Sequence, residues 1–126
     1  MPRSNIDTVR AMFDAYLAHD PDAADQLLAD DVSFTSPQDD HIDKQAYFQR
    51  CFPTADRLTS QEIVEVVDAG GDSVFVMYEY ELRSGDRHRN TEFITVCGGQ
   101  ITDIHVFFGG QVRRAASPDE LTSRNG

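Results

Sequence analysis

Residues 74–108 read VFVMYEYELRSGDRHRNTEFITVCGGQITDIHVFF, and this stretch decides the fold. Three β-rich runs are separated by Ser84-Gly85 and Gly98-Gly99. Short glycine-containing loops between such runs are the strongest local signal of antiparallel hairpins. Taken as two-residue loops, they predict a register. Tyr80 then faces Arg89, Tyr78 faces Thr91 and Val76 faces Phe93, while in the second hairpin Cys97 faces Gln100, Phe93 faces Ile104, Thr91 faces Val106 and Arg89 faces Phe108. Side chains alternate with period two. One face therefore carries Val74, Val76, Tyr78, Tyr80, Arg89, Thr91, Phe93, Ile104, Val106 and Phe108. It is apolar but for phenols, a hydroxyl and a guanidinium, which suits a covered face with a few orienting groups. The other face carries Phe75, Met77, Glu79, Glu81, Asn90, Glu92, Ile94, Asp103, His105 and Phe107. That mixture suits a subunit interface or a partly wet surface.

The upstream chain reads as cover for this sheet. Ser4 and Asn5 are N-cap residues, with Asp7 in the first turn complementing the helix dipole. From Ile6, the residues Val9, Met12, Phe13, Tyr16 and Leu17 fall on one helical stripe. This helix ends near His19, because Asp20 precedes Pro21. Asp20 caps a second short helix that starts at Pro21, runs through Ala23, Ala24, Leu27 and Leu28, and is ended by Asp30 and Asp31. Val32–Ser36 alternates as a short strand running into Pro37, and residues 38–41 form a polar loop of the kind that rims a site. Asp43 caps a third helix, Lys44–Phe52, with Tyr47, Phe48, Cys51 and Phe52 on its buried stripe and Pro53 closing it. A strand over Leu58–Asp68 and the turn Ala69-Gly70-Gly71-Asp72 lead into the meander. Helices followed by a sheet make an α+β layer architecture, one domain over residues 1–110 with a polar C-terminal tail at 111–126.

A chain of 126 residues holds one domain with a real core. Its net charge of −11 and pI near 4.5 repel nucleic acid and anionic membranes, so neither is an expected partner. Cys51 and Cys97 fit no zinc spacing and read as free thiols. The N-terminal residues lack an apolar leader segment and no run reaches transmembrane length, which points to a cytoplasmic protein.

Six runs along the chain carry a resemblance. Val9–Tyr16 with His19-Asp20-Pro21-Asp22 and then Leu27–Phe34, together with Arg89–Phe93, Gly98-Gly99-Gln100-Ile101 and Val106–Gly109, resemble the nuclear transport factor 2-like superfamily. The resemblance spans residues 6–110 and is nearest the SnoaL-like, ketosteroid-isomerase-related branch. It implies a conical α+β barrel: about three helices wrapped on a strongly curved, mostly antiparallel sheet with an internal hydrophobic pocket. It also implies a homodimer through the outer sheet face, here Phe75, Met77, Ile94, His105 and Phe107. In ketosteroid isomerases an aspartate before the proline of the first strand carries the proton. A helix tyrosine and a protonated strand acid hold the oxyanion. Here those positions fall on Ser36, on Met12 (with Tyr16 one turn on) and on Thr91, so all three depart.

The expected pocket comprises Met12, Phe13, Tyr16, Phe34, Ser36, Phe48, Phe52, Val76, Tyr78, Arg89, Thr91, Phe93, Val106 and Phe108. Candidates for chemistry are Tyr16, Ser36, His41, Glu92 and His105. In the predicted register Glu92 and His105 face each other, either as an acid–base dyad or as a cross-strand charge pair on the outer face. His41 would reach over the pocket mouth or stay in water, and Arg89 would hold an acidic or carbonyl group or run out to the rim. Asp39-Asp40-His41 is the one tight cluster of metal-ligand types, too small for a site; no metal or cofactor is expected. Two functions fit: acid–base isomerase-, cyclase- or hydratase-type chemistry on a hydrophobic carbonyl compound, or non-catalytic small-ligand binding, as in a stress-associated module. An ionisable side chain with a shifted pKa inside the pocket would favour the first.

Overall fold

A computed structural model describes residues 4–112. Three helices, α1 (Asn5–Leu17), α2 (Pro21–Leu27) and α3 (Lys44–Arg50), pack on six strands: β1 (Leu28–Ser36), β2 (Asp39–Ile42), β3 (Leu58–Gly70), β4 (Ser73–Leu82), β5 (Arg87–Cys97) and β6 (Gln100–Gln111). The caps are as the sequence predicts. Ser4 accepts from the Asp7 N–H, Asp20 from Ala23 and Asp43 from Ala46, each satisfying an orphan donor of the first turn. The strand order is β2-β1-β6-β5-β4-β3, antiparallel throughout except for the parallel β1–β6 pair. The α+β cone is therefore present, but the sheet stays open, with β2 and β3 as its edges and no barrel closure.

Several boundaries move. The strand expected at Val32 begins at Leu28, because Leu28 already pairs with Ile101 instead of ending a helix. The polar loop at 38–41 becomes a hairpin, with Ser36 opposite Asp39 and Phe34 opposite Ile42. The third helix stops at Arg50 and gives way to a 3-10 turn, Phe52–Arg57, with Pro53 near its start. β6 runs to Gln111, and the Val112 N–H donates to the Arg87 carbonyl, so the first two residues of the expected tail continue the pairing with β5. The remaining tail lies outside the described residues.

The decisive difference is the orientation of β5. The first hairpin closes with Arg83, Ser84 and Gly85 between a hydrogen-bonded Leu82 and Asp86, and Gly85 takes φ +95°. This is a three-residue loop with glycine at its left-handed position. The register slips by one, pairing Tyr80 with His88, Tyr78 with Asn90 and Val76 with Glu92. The second turn is the expected two-residue loop, Cys97 opposite Gln100. A bulge at Thr102 then shifts the pairing, so that Ile94 faces Ile104, Glu92 faces Val106 and Phe93 faces His105. A one-residue slip on each side turns the middle strand over without disturbing β4 or β6. Arg89, Thr91 and Phe93 thus lie on the outer face, and Asn90, Glu92 and Ile94 on the inner one.

The core lies between the helices and that inner face, where Val9, Leu28, Val74, Val76, Ile94, Val96 and Ile101 are sealed from solvent. At the far end of β6, Gly109 and Gly110 together oppose Arg89 as a bulge. A methyl group at Gly109 would run into the Arg89 carbonyl oxygen. Gly109→Ala is expected to cost about 1–3 kcal/mol through overpacking. A urea midpoint equal to that of the parent protein would refute the clash.

Candidate functional site

The inner face is best read as cross-strand rows. Val66, Val76, Glu92 and Val106 form one row; Ile63, Tyr78, Asn90 and Phe108 form the next; Gln61, Tyr80 and His88 form a third, toward the hairpin end. α1 lays Met12, Phe13 and Tyr16 across these rows, while α3 and the 3-10 turn bring Tyr47, Arg50, Cys51, Thr54 and Arg57. Between them lies a cavity of about 430 Å³, of the size that takes a small organic ligand.

Glu92 lines this cavity from the first row, at the end away from the hairpin. Its row neighbours Val76 and Val106 are buried hydrocarbon, and Ile94 beyond it is as well. Loss of hydration penalises the charged carboxylate and raises its pKa to about 7, against which a hydrogen bond from Tyr78 acts weakly. The Tyr78 hydroxyl donates to Glu92 Oε2 at 2.5 Å, and the buried Asn90 amide donates back to the Tyr78 oxygen at 3.4 Å. Phe13 packs edge-on against the Tyr78 ring at 4.9 Å between centroids, fixing the phenol. Burial and the adjacent Glu92 charge hold Tyr78 far above the ordinary phenol range, so the hydroxyl stays a donor.

A second cluster faces it. Thr54 donates to the Cys51 carbonyl at 2.6 Å, which leaves its oxygen to accept from the Tyr16 hydroxyl at 2.5 Å. Burial raises the pKa of Tyr16, and that of Tyr47 strongly, with Glu92 adding to both. Both phenols therefore stay protonated. Burial together with Asp39 pushes the Cys51 thiol up to about 12, which removes it as a nucleophile. Asp39 reaches the cavity from β2 and pairs with Arg50 at 2.6 Å.

Of the expected pocket, Met12, Phe13, Tyr16, Phe34, Ser36, Tyr78, Val106 and Phe108 do line the cavity. Phe48 and Phe52 do not; their rings back Tyr47 at 5.5 and 6.3 Å. Val76 is sealed in the core, and Arg89, Thr91 and Phe93 left the cavity when β5 turned over. Arg89 instead binds Glu79, and Phe93 packs edge-on against Phe75 at 4.6 Å. Glu92 and His105 are not a dyad. They lie on opposite faces, and His105 pairs with Asp103 at 3.0 Å. His41 is exposed, holds Asp40 at 2.5 Å and stands 6.0 Å from the His105 ring, away from the cavity. The Asp39-Asp40-His41 cluster is split, Asp39 turning to the cavity while Asp40 and His41 pair outside it, and no group able to hold a metal occurs among the described residues. Ser36 lines the cavity but its hydroxyl accepts from the Gln38 N–H. Ile94, expected on the dimer face, is core.

The SnoaL-like domain family model matches residues 9–114. No curated protein matches the sequence. Among solved structures, a protein from Kribbella flavida DSM 17836 superposes with a TM-score of 0.72 at 23% identity, covering 94% of both chains. A provisionally assigned ketosteroid isomerase from the same organism gives 0.70 at 19% identity over 93% of this chain and 86% of its own. A provisionally assigned polyketide cyclase from Sinorhizobium meliloti gives 0.65 at 21% over 82% and 99%. With open sheet, helical cover and internal cavity in place, the chain has the fold of nuclear transport factor 2-like proteins of known structure and belongs to the SnoaL-like domain family.

Proposed function

We propose that the cavity binds a hydrophobic carbonyl compound and that Glu92 moves a proton on it. The observation that carries this reading is a carboxyl group inside an apolar cavity with its pKa raised to about 7. Such a group is half ionised at neutral pH, where a proton carrier works best in both directions. The carboxylate would take a proton from the carbon next to the carbonyl. The C–H electron pair moves into an enolate, and the proton returns at the same or a conjugated carbon. The protonated phenol of Tyr47 would donate to the oxygen as charge develops, Tyr16 being already committed to Thr54. The position of the oxyanion-holding acid falls on Thr91, and its inward-turned neighbour Glu92 puts a carboxyl on the same strand in a different role, as the proton carrier. Isomerase-, cyclase- and hydratase-type reactions share this step, and the provisional assignments of two similarly folded proteins agree with it. The test is hydrogen–deuterium exchange, followed by NMR, into a panel of hydrophobic enones. Exchange lost in Glu92→Gln supports the reading; exchange by neither protein rejects it.

We also propose a homodimer through the outer face. Phe75 and Phe107 are 41% and 54% exposed, and Val67 at 45% extends the same apolar surface. Phe107→Glu should shift the protein toward monomer in sedimentation, and an unchanged oligomer would reject the interface.

A further inference from the structure

The cavity is not uniform along its length. The rows run from hydrocarbon around Glu92, through Tyr78 and Asn90, to Gln61, Tyr80 and His88. Glu92 and His88 are four strand positions apart, which is roughly 13 Å at the strand rise. Two arginines line the wall, and they differ. Arg50 is already neutralised by Asp39 at 2.6 Å. Arg57 lines the cavity without a carboxylate at ion-pair distance among the described residues. Of the two arginines on the wall, Arg57 is therefore the one whose charge is left for a ligand.

The backbone that carries Arg57 is held from several sides. The Arg83 N–H donates to the Arg57 carbonyl at 2.8 Å, and the Arg83 guanidinium donates to the Asp56 carbonyl at 2.6 Å. Thr54, one turn earlier, is tied to Tyr16. A guanidinium on a fixed backbone meets a carboxylate through two parallel hydrogen bonds at little ordering cost. The opposite end of the cavity is closed to an anion by Glu92 itself, so only one orientation remains.

We infer that the substrate is a carbonyl compound with a carboxylate at its far end, received by Arg57 at the cavity mouth while the reacting carbon lies against Glu92. This rests on the proton-transfer reading for the role of Glu92, but its test does not. The probes are 4-(3-oxobut-1-enyl)benzoate and its methyl ester, with affinity read by calorimetry on the parent protein, Glu92→Gln, Arg57→Ala and Arg57→Lys. The carboxylate is expected to bind the parent protein and Glu92→Gln about tenfold tighter than the ester. Arg57→Ala should erase that preference and leave ester binding unchanged, while Arg57→Lys should keep part of it. The Arg57 side chain is exposed, so these variants should fold, as circular dichroism will verify. Equal affinity of the two probes, no binding of either, or a preference that survives Arg57→Ala overturns the inference. Absence of enone exchange in the parent protein, with the preference intact, would reject the catalytic role of Glu92 alone.

Discussion

Glu92→Gln is expected to lower proton exchange on an accepted enone by about 10²–10⁴-fold, the range that a positioned general base supplies. Glutamine keeps the volume and an oxygen to accept from Tyr78, so the cavity should retain its shape while losing its proton carrier. The pH profile gives a second reading. A base must be ionised, so the parent protein's kcat/KM should rise with pH and level off above about 7, following the Glu92 carboxyl. Tyr78→Phe removes the one interaction that lowers this pKa, so its midpoint should move upward. A profile whose midpoint ignores Tyr78→Phe would assign the titration to another group. Slow but pH-independent exchange in Glu92→Gln is the expected residue of binding and phenol donation. Exchange undiminished in that variant would return the cavity to the second function, ligand binding without turnover.

How far the sequence could carry this argument is seen in β5. Helix caps at Ser4, Asp20 and Asp43 were legible because each depends on one side chain and a neighbouring N–H. The Gly98-Gly99 turn was legible for the same reason: both residues take positive φ, which glycine allows. The face of β5 was not. Its even positions, Asn90, Glu92, Ile94 and Val96, and its odd positions, Arg89, Thr91, Phe93 and Thr95, are comparably mixed, so alternation alone does not choose. The choice is made by a three-residue loop ending in Gly85 and by a bulge at Thr102. The first leaves a signal, since glycine at the last loop position is compatible with that closure; the second leaves none. Two slips that cancel at β6 also explain why the predicted hairpins agreed with each other. Tyr47 and Arg50 entered the cavity from α3, and Thr54 and Arg57 through the 3-10 turn, whose path is set by packing of Phe52 among Tyr16, Tyr47 and Phe48.

The same carboxyl should make the fold weaker at the pH where it works. Folded Glu92 titrates near 7 and an unhindered glutamate near 4.5. Below about 4.5 both states hold the proton and its contribution to stability is fully present. As pH rises, the unfolded chain releases the proton first, so stability falls until the folded carboxyl has also ionised. The difference of about 2.5 units corresponds to about 3 kcal/mol, a large share of the stability of a domain this size. Glu92→Gln removes this slope. By urea denaturation the variant should match the parent protein near pH 4.5 and exceed it by about 2–3 kcal/mol at pH 8. Comparing the two proteins at each pH cancels the other titrating groups, among them Glu79, which its arginine partners stabilise in the opposite sense at lower pH. Parallel curves from pH 4.5 to 8 would show that Glu92 is hydrated in the folded protein, which would remove the physical basis of its basicity. A stabilised but inactive Glu92→Gln would instead show that the folded state tolerates a buried charge because the chemistry requires it.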